Sequence, residues 1–495
     1  MKAPVTLGAA TLASLPTNVS TPTYNRDQIT TGIIHFGVGG FHRAHQAMYI
    51  DALLCAGKAA NWGICGVGVM PGDKRMKDAL DAQDGLYTLV ARHADGSWDA
   101  RIIGSIIDYL YAPDDPEAVI EKMAARSTRI VSLTVTEGGY NLQHDTGEFN
   151  ASNPAVQHDL TSDEPPATTF GLVIEALARR RDRGLPSFTV MSCDNIEGNG
   201  DVARKVFTAY AELKDPSLAE WMRANTTFPN SMVDRITPVT TPEVTTQVAE
   251  RLGIDDRWPV VAEPFTSWVL EDDFADGRPD LDEAGVHLVD DVAPYELMKL
   301  RLLNASHQGL CYFAYLAGYR FVHEAASDPL FSQFLLDYMN REATPTLKPV
   351  PGVDLDDYKK TLIERFSNPE IADTIARLCA ESSDRIPKWL LPVVRENLAS
   401  GGDVRLSAAI VASWARYAEG VDEQGQPIEV VDQLRDSLMP LAQRQHEESL
   451  AFVKNTSVFG TLAEEPRFTE AYTWALGSLH DNGARATLEA LTHHP

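Results

Sequence analysis

The sequence has few cysteines and no recognisable set of metal ligands. Its five cysteines are spread over 495 residues and form no CxxC pair, so we expect free thiols in a reducing compartment and no disulfides. His42 and His45 stand three residues apart, but neither an HExxH motif nor a histidine-rich segment accompanies them. The sequence therefore predicts no metal site, and it disfavours a zinc dehydrogenase or a metal-dependent hydrolase.

Long apolar runs and an excess of positive charge are also lacking. No segment approaches the roughly 18 apolar residues of a membrane-spanning helix, and residues 5–15 are too weakly apolar for a signal peptide. The 43 Lys and Arg residues stand against 70 Asp and Glu, which gives a formal net charge of −27. Such a surface repels nucleic acid and anionic membranes. We expect a cytoplasmic protein, compatible with a monomer, whose partner is a small molecule.

The first half of the sequence alternates short apolar strands with helices. After an irregular extension over residues 1 to about 28, strands are predicted at 31–36, 62–69, 129–135 and 187–191, and helices at 44–55 and 170–183. Such alternation is typical of a mostly parallel, doubly wound sheet. We predict an α/β, Rossmann-type dinucleotide-binding domain over residues 1–290.

Strand patterns nearly disappear after residue 290, and helical patterns replace them. These helices are predicted at 294–319, 329–339, 355–365, 404–418 and 431–454. Segments rich in proline and glycine, such as 345–351, separate them. We predict a mostly α-helical domain over residues 291–495 that carries substrate binding and catalysis.

A glycine-rich turn, with Gly37, Gly39 and Gly40, directly follows the first strand. Little side-chain bulk there would let backbone N–H groups and a helix N-terminus approach the pyrophosphate of a dinucleotide. The usual G-x-G-x-x-G pattern would place a third glycine at position 42, where the sequence has His42. The position after the first strand favours a cofactor site over an ordinary tight turn.

An acidic residue near the end of the second strand normally binds the ribose hydroxyls of NAD and repels the 2′-phosphate of NADP. Asp73 stands in that position, although Lys74 and Arg75 could instead pair with the phosphate. A solvated loop remains the alternative interpretation.

The segment 295–309 carries polar residues among leucines. At 100° per residue on a helix, four polar side chains fall in one sector, namely Glu296, Lys299, Asn304 and His307. A lysine whose pKa is lowered can remove the proton of a carbinol while hydride leaves. Amide N–H groups of an asparagine can stabilise the resulting alkoxide-like oxygen. The alternative is a lysine at a helix edge, with the asparagine and histidine paired in the interior.

A second polar cluster, residues 192–200, directly follows the strand at 187–191. Ligands of open α/β sheets bind beyond the carboxyl ends of strands, so Asn195 is well placed for a site. An Asx-turn or a helix cap explains the cluster equally well. Residues 232–238, and Arg377 with residues 383–388, carry charges that could fix sugar hydroxyls or form surface salt bridges.

Taken together, these segments resemble the mannitol dehydrogenase family of polyol-specific long-chain dehydrogenases. The matching segments are residues 37–46, 192–200, 233–238 and 299–307, and the last is a specific signature of the family. The resemblance runs from about residue 30 to about 455. It implies a Rossmann-type domain, a mostly helical C-terminal domain and an active site in the cleft between them, with NAD as the cofactor.

The resemblance also implies roles for individual residues. Lys299 would be the catalytic acid/base, Asn195 and Asn304 the oxyanion hole, His307 the group that orients lysine and substrate, and Glu296 a gate for proton exchange. The polyol would be contacted by Val233, Asp234, Arg377 and Lys388. The cofactor would be contacted by Phe36, Gly37, Gly39, Gly40, Phe41, Asp73, Thr134, Val135, Glu137 and Asn195.

The resemblance is strongest to members that interconvert mannitol and fructose, notably across residues 263–272 and 294–319. The alternatives are reductases of fructuronate or tagaturonate and dehydrogenases of arabinitol or sorbitol. A uronate would need an extra cation, which Arg377, Arg385 or Lys388 could supply. The family often has an acid immediately before the aspartate that selects NAD, whereas this sequence has Gly72. A regulator without activity is disfavoured because Lys299 and both asparagines are present.

Overall fold

The computed structural model describes residues 3–143 and 146–493 and divides into two compact units, residues 1–293 and 294–495, here the N-terminal and C-terminal units. The strands are β1 Val5–Thr6, β2 Val19–Ser20, β3 Thr31–Phe36, β4 Gly63–Gly68, β5 Tyr87–Arg92, β6 Trp98–Ile103, β7 Ile106–Tyr111, β8 Ile130–Leu133, β9 Thr189–Ser192, β10 Ser231–Asp234, β11 Ile254–Asp255, β12 Val260–Ala262, β13 Ser267–Glu271 and β14 His287–Val289.

The α-helices of the N-terminal unit are α1 Gly40–Ala44, α2 Gln46–Cys55, α3 Lys74–Asp81, α4 Pro116–Ala124, α5 Thr136–Gly139, α6 Pro154–Thr161, α7 Thr169–Asp182, α8 Asn199–Lys214, α9 Pro216–Asn225 and α10 Pro242–Leu252. Those that follow are α11 Ala293–Met298, α12 Ala305–Leu316, α13 Val322–Ala326, α14 Pro329–Tyr338, α15 Leu355–Phe366, α16 Ile375–Cys379, α17 Ser382–Trp389, α18 Leu391–Ser400, α19 Arg405–Tyr417, α20 Arg435–Gln443, α21 Thr456–Phe459 and α22 Pro466–His493. No helix in the part of the chain described here is long and apolar enough to cross a membrane.

The central sheet of the N-terminal unit has five parallel strands in the order β7-β4-β3-β8-β9. Counted within the sheet this is 3-2-1-4-5, the order of a dinucleotide-binding sheet, and the strand order reverses between β3 and β8. Every residue of β3, β4, β8 and β9 is buried, because two hydrophobic cores cover the sheet. Burial on both faces explains the continuous apolar runs that predicted these strands. The predicted α/β fold is confirmed.

The N-terminal segment is built into the N-terminal unit, so the expected irregular extension over residues 1–28 is wrong where the structure describes it. β1 pairs with β11, and β2 with β6. Leu7, Leu15 and Val19 are buried in a third core. Strands of two residues show no sequence periodicity, so only their distant partners reveal them.

The expected helix at 44–55 is interrupted at His45, where φ is −122° and ψ is −95°, so that α1 and α2 are separate helices. The expected helix at 431–454 is also shorter than predicted. α20 covers only Arg435–Gln443, and a 3-10 turn, Arg444–His446, follows it. Before α20, the carboxylate of Asp432 accepts bonds from the Ser383 backbone N–H and hydroxyl.

The expected continuous α-helix at 294–319 contains a π-helical segment, Lys299–Asn304, between α11 and α12. Ala305 N–H donates to the Leu300 carbonyl, five residues back. The assumed 100° per residue is therefore wrong across this segment. Segments of this kind occur frequently at functional sites, and residues five apart lie close to one face of the widened turn.

Candidate active site

The glycine turn lies where the sheet order reverses, at the carboxyl ends of β3 and β8. Gly37 has φ +87°, and a Cβ there would lie 2.1 Å from the Thr134 carbonyl oxygen, so the fold itself requires this glycine. At Gly39 an added Cβ would meet nothing of the protein closer than 3.8 Å, and at Gly40 nothing closer than 3.5 Å. Internal packing therefore does not explain these two glycines, whereas the close approach of a pyrophosphate does.

His42, in the position of the missing third glycine, stacks on His35 with ring centroids 3.4 Å apart. The His35 nitrogens lie 2.8 Å from Ser132 Oγ and 2.9 Å from Thr134 Oγ1, and Thr134 Oγ1 donates to the Gly37 carbonyl. Burial lowers the pKa of His35 to about 3, so this support is neutral. The stacked rings of His35 and His42 thus support the turn through Thr134, an arrangement that the glycine pattern did not reveal.

The two phenylalanines predicted near the cofactor differ in exposure. The Phe36 side chain is fully buried, so only its backbone belongs to the turn. Phe41 is partly exposed, and its ring stacks on His45 at 4.9 Å. Only Phe41 therefore offers a side chain to the turn.

Asp73 lies at the carboxyl end of β4. Its Oδ2 accepts bonds of 2.9 Å each from the N–H groups of Val69 and Met70, which fixes the carboxylate beside the strand end. Lys74 Nζ lies 2.6 Å from Asp114 Oδ2, and the Arg75 guanidinium lies 5.3 Å from the centre of a Trp258 ring. The carboxylate that would repel a 2′-phosphate is therefore fixed, while both neighbouring cations already have partners.

Asp194, which the sequence analysis did not single out, joins the carboxyl ends of β8 and β9. Its carboxylate accepts from Val135 N–H at 3.1 Å, Thr136 N–H at 2.8 Å and the Tyr140 hydroxyl at 2.8 Å. Burial raises the pKa of Asp194, and these bonds act against the rise. Thr136 has φ +63°, a conformation that is rare outside glycine. Asp194 thus fixes a loop whose backbone is strained at Thr136. In the sequence, only its position next to Asn195 pointed to it.

Asn195 is exposed at this edge, as is Glu137, and Thr134 and Val135 are partly buried. Asn199 is buried and holds the segment from below: its Nδ2 donates to the carbonyls of Asp194 and Ser231 at 2.9 and 2.8 Å. The helix-cap interpretation does not fit Asn199, because Gly198 is the N-cap of α8 and no side chain caps that helix.

Val233 and Asp234, predicted to contact the polyol, end the buried strand β10. Asp234 is opposite Ser267 of β13 in the antiparallel register. The Ser231 hydroxyl donates to the Ser192 carbonyl at 2.6 Å, which links β10 to the end of β9. The structure thus brings the two residues near the segment that carries Asn195.

In the C-terminal unit, the predicted catalytic group lies along α11, the π-helical segment and the start of α12. Glu296 and Lys299 are each 8% exposed and Asn304 is 4% exposed. The π turn begins at Lys299 and ends at Asn304, so the two side chains share a face despite their five-residue spacing. His307 is partly exposed, with its ring 4.4 Å from that of Phe366. A buried amine and a buried amide on one turn are suited to move a proton and hold an oxygen.

Arg301, the second cation of the π-helical segment, is bound by Glu396 through two bonds of 2.8 and 2.6 Å. Its guanidinium also donates to the Thr346 carbonyl. Arg301 is therefore held by Glu396 and by the backbone of residue 346.

Three cations that sequence reasoning offered to a substrate already have partners. Arg377 forms two bonds of 2.6 and 2.5 Å with Asp373, which raise its pKa. Lys388 Nζ lies 2.6 Å from Asp384 on an exposed face of α17. Arg385 donates to the carbonyls of Arg377 and Leu378. Lys388 therefore fits the alternative interpretation, a surface salt bridge.

Comparison with protein families covers both units. Residues 31–283 match the mannitol dehydrogenase Rossmann domain, and residues 291–480 match the mannitol dehydrogenase C-terminal domain.

Several known proteins are similar over nearly the whole chain. Mannitol 2-dehydrogenases of Phaeosphaeria nodorum and Aspergillus fumigatus are each 46% identical over 95% of this chain, covering 83% and 95% of their own lengths. A Pseudomonas fluorescens mannitol 2-dehydrogenase, solved with NAD and D-mannitol, is 45% identical with a TM-score of 0.89, covering 99% of this chain and 100% of its own. A D-sorbitol dehydrogenase, solved without substrate, is 40% identical with a TM-score of 0.91, covering 97% and 100%.

Proposed function

The chain belongs to the mannitol dehydrogenase family, and on that premise we propose that it catalyses the NAD-dependent, metal-independent interconversion of D-mannitol and D-fructose. The observation that carries the proposal is the π-helical segment, which places buried Lys299 and Asn304 on one turn. Relatives named mannitol 2-dehydrogenase, and a similar structure that contains NAD and D-mannitol, support this substrate pair.

The chemistry divides between a proton and a hydride. Bound NAD supplies the hydride acceptor. The buried Lys299 amine removes the proton of the reacting hydroxyl as the general base. Glu296, three residues earlier on the same helix, passes that proton to solvent. In the direction of fructose reduction the same groups return the proton to the carbonyl oxygen.

The remaining site residues position the substrate. The amides of Asn304 and Asn195 donate to the oxygen whose negative charge grows during hydride transfer, which lowers the barrier. His307 orients the amine and a neighbouring hydroxyl. Val233, Asp234 and Arg377 contact the polyol chain, and we assign Lys388 no more than a peripheral contact because it pairs with Asp384.

The partners of the cations favour a neutral substrate over a uronate. Arg377 is neutralised by Asp373 and Lys388 by Asp384. A carboxylate substrate would have to replace one of these ion pairs. The likeness to a D-sorbitol dehydrogenase makes D-sorbitol the second candidate, which differs from mannitol in the configuration of one carbon.

The cofactor preference follows from Asp73. Its carboxylate is fixed by two backbone N–H groups beside the end of β4, where a ribose would lie. Lys74 and Arg75 interact with Asp114 and Trp258. The site therefore fits NAD better than NADP, although position 72 carries a glycine and supplies no second acid.

The proposal is tested by steady-state kinetics of the purified protein. Oxidation of mannitol, sorbitol and arabinitol is measured with NAD and with NADP, and reduction of fructose, fructuronate and tagaturonate with NADH, each with and without EDTA. We expect mannitol and fructose to have the highest kcat/KM, NAD to be preferred, and EDTA to have no effect. A higher kcat/KM for a uronate or for sorbitol would overturn the substrate assignment.

We further propose that the protein acts as a monomer in the cytoplasm. All five cysteines are free, and four of them are buried, which suits a reducing compartment. The net charge of −27 opposes association of identical surfaces. Light scattering after gel filtration would contradict the monomer if it gave twice the chain mass.

A further inference from the structure

Three segments of the C-terminal unit bring a carboxylate and two imidazoles together. Glu419 follows α19, His446 ends a 3-10 turn after α20, and His480 lies on α22. His480 Nε2 is 2.7 Å from Glu419 Oε1, and His446 Nε2 is 3.6 Å from Glu419 Oε2. One donor atom from each residue lies within 4.8 Å of the others, the single group of this kind in residues 3–143 and 146–493.

The two imidazoles are already arranged around the carboxylate. Their rings stack with centroids 4.5 Å apart and planes 25° apart. Gln445, which precedes His446, is buried and accepts a hydrogen bond from Tyr472 of α22. The cluster therefore forms without a large rearrangement of the backbone.

The spacing suits a small divalent ion after a minor adjustment. Zinc binds imidazole nitrogen and carboxylate oxygen at about 2.0–2.2 Å, which places donor atoms of a tetrahedral site about 3.4 Å apart. His446 Nε2 lies 3.6 Å from Glu419 Oε2, and the 2.7 Å separation of His480 Nε2 from Oε1, the oxygen that would bind the ion, has to widen. His480 is partly exposed, so rotation of its side chain is sufficient.

Arg416 limits the affinity of such a site. Its Nη1 lies 3.2 Å from Glu419 Oε2 and donates to the Val421 carbonyl at 2.8 Å. The guanidinium orients the carboxylate and leaves Oε1 for an ion, but its charge repels a cation. A cavity of about 440 Å³, lined by these side chains, has room for water as a further ligand.

We propose that Glu419, His446 and His480 bind a divalent transition-metal ion, with Zn²⁺ as the best match. Imidazole nitrogen with one carboxylate oxygen suits zinc, nickel and copper more than magnesium or calcium. The ion would join the segments after α19 and α20 to α22 and would stabilise the folded state by binding it selectively. It has no part in the dehydrogenase chemistry, so the inference stands apart from the proposed function.

The test is calorimetric titration of the full-length, EDTA-stripped protein with Zn²⁺. We expect one ion per chain with a micromolar dissociation constant and at least tenfold weaker binding for each of H446N, H480N and E419Q. The matched control is H93N. His93 Nε2 also lies 2.7 Å from a carboxylate oxygen, Asp99 Oδ2, but His93 does not belong to the three-residue group. H93N should bind as the wild type does.

Two further readouts separate lost ligands from lost structure. The variants should retain wild-type mannitol oxidation, and Co²⁺ bound to the wild type should give the intense visible absorption of a four-coordinate ion. The proposal is overturned if the wild type binds no Zn²⁺ at tenfold the protein concentration, if H446N and H480N bind it unchanged, or if Co²⁺ shows only the weak absorption of the hydrated ion.

Discussion

Gly37 and Thr134 directly follow adjacent parallel strands in the N-terminal unit, where Asp73 and Asp194 hold the neighbouring loops through backbone N–H groups. In the C-terminal unit, Lys299 and Asn304 lie on one π-helical segment, and the proposed roles of both depend on their side chains. The first region is the carboxyl edge of a parallel sheet with little side-chain bulk, and the second carries a side-chain amine and a side-chain amide. The difference suggests that the first binds the cofactor and the second carries the chemistry, which makes the two regions separable by mutation.

The largest effect is expected for Lys299→Ala. Without the amine no group removes the hydroxyl proton, so kcat for mannitol oxidation should fall about 10³- to 10⁴-fold, at the upper end for general acid–base catalysis. Stopped-flow formation of NADH measures the loss. Lys388→Ala is the control, because that lysine pairs with Asp384 on an exposed helix face, and it should remain near wild type. Full activity of Lys299→Ala would show that another group is the base.

The next effect is expected for Asn304→Ala. Loss of one donor to the developing oxyanion should lower kcat about 10²- to 10³-fold. KM for NAD should remain unchanged, because the variant leaves the N-terminal unit untouched. A fall in NAD affinity that matches the fall in kcat would contradict the separation of the two regions.

A moderate effect is expected for Asp194→Asn, compared with Asp159→Asn. Both carboxylates accept two backbone N–H groups and one hydroxyl, but Asp159 does so at Ala167 and Thr168, away from the glycine turn. In either variant the asparagine NH₂ group replaces one carboxylate oxygen and faces a backbone N–H group that then has no acceptor. Each variant should therefore lose about 1–3 kcal/mol of stability.

Only the Asp194 variant should also raise KM for NAD, by about tenfold or 1.4 kcal/mol, because only it frees the loop with Thr136. Thermal unfolding and NAD titrations distinguish the two effects. Equal KM values in both variants would reduce Asp194 to a structural role.

The smallest effect is expected for Asp73→Asn. One unit of charge at about 4 Å in water is worth about 1 kcal/mol, so the preference for NAD over NADP should fall about fivefold. The ratio of kcat/KM for NAD and NADP measures the effect of Asp73→Asn, and an unchanged ratio would show that Asp73 does not select NAD.

Gly39→Ala tests the same edge of the sheet. The new Cβ would lie 3.8 Å from the nearest protein atom, so weaker NAD binding should occur without loss of stability.

The Rossmann-type α/β fold was predictable, because alternating apolar strands and helices with a glycine turn after the first strand have few alternative structures. The short strands β1 and β2 were not, since two residues carry no period and only their pairing with β11 and β6 reveals them. The π-helical segment was missed for a related reason. Over six residues, the apolar pattern of a π turn is not distinguishable from that of an α-helix.

The placement of Gly37 and Asp73 beyond the ends of β3 and β4 was predictable, because each directly follows a strongly apolar strand or its turn. The ion pairs of Arg377 and Lys388 were present in the sequence as Asp373 and Asp384, each four residues earlier, a spacing typical of helix pairs. The role of Asp194 was not predictable, because the sequence does not show that its carboxylate faces the loop after β8. The cluster of Glu419, His446 and His480 was missed because its three residues are far apart in sequence.

The most direct test of the separation between the two regions is the NADH dissociation constant of Lys299→Ala, measured by fluorescence titration. We expect a value within about threefold of the wild type, or about 0.65 kcal/mol, in a variant that no longer turns over mannitol. An NADH affinity that falls together with the rate would contradict the account, because Lys299 would then serve the fold or the cofactor and not the proton transfer.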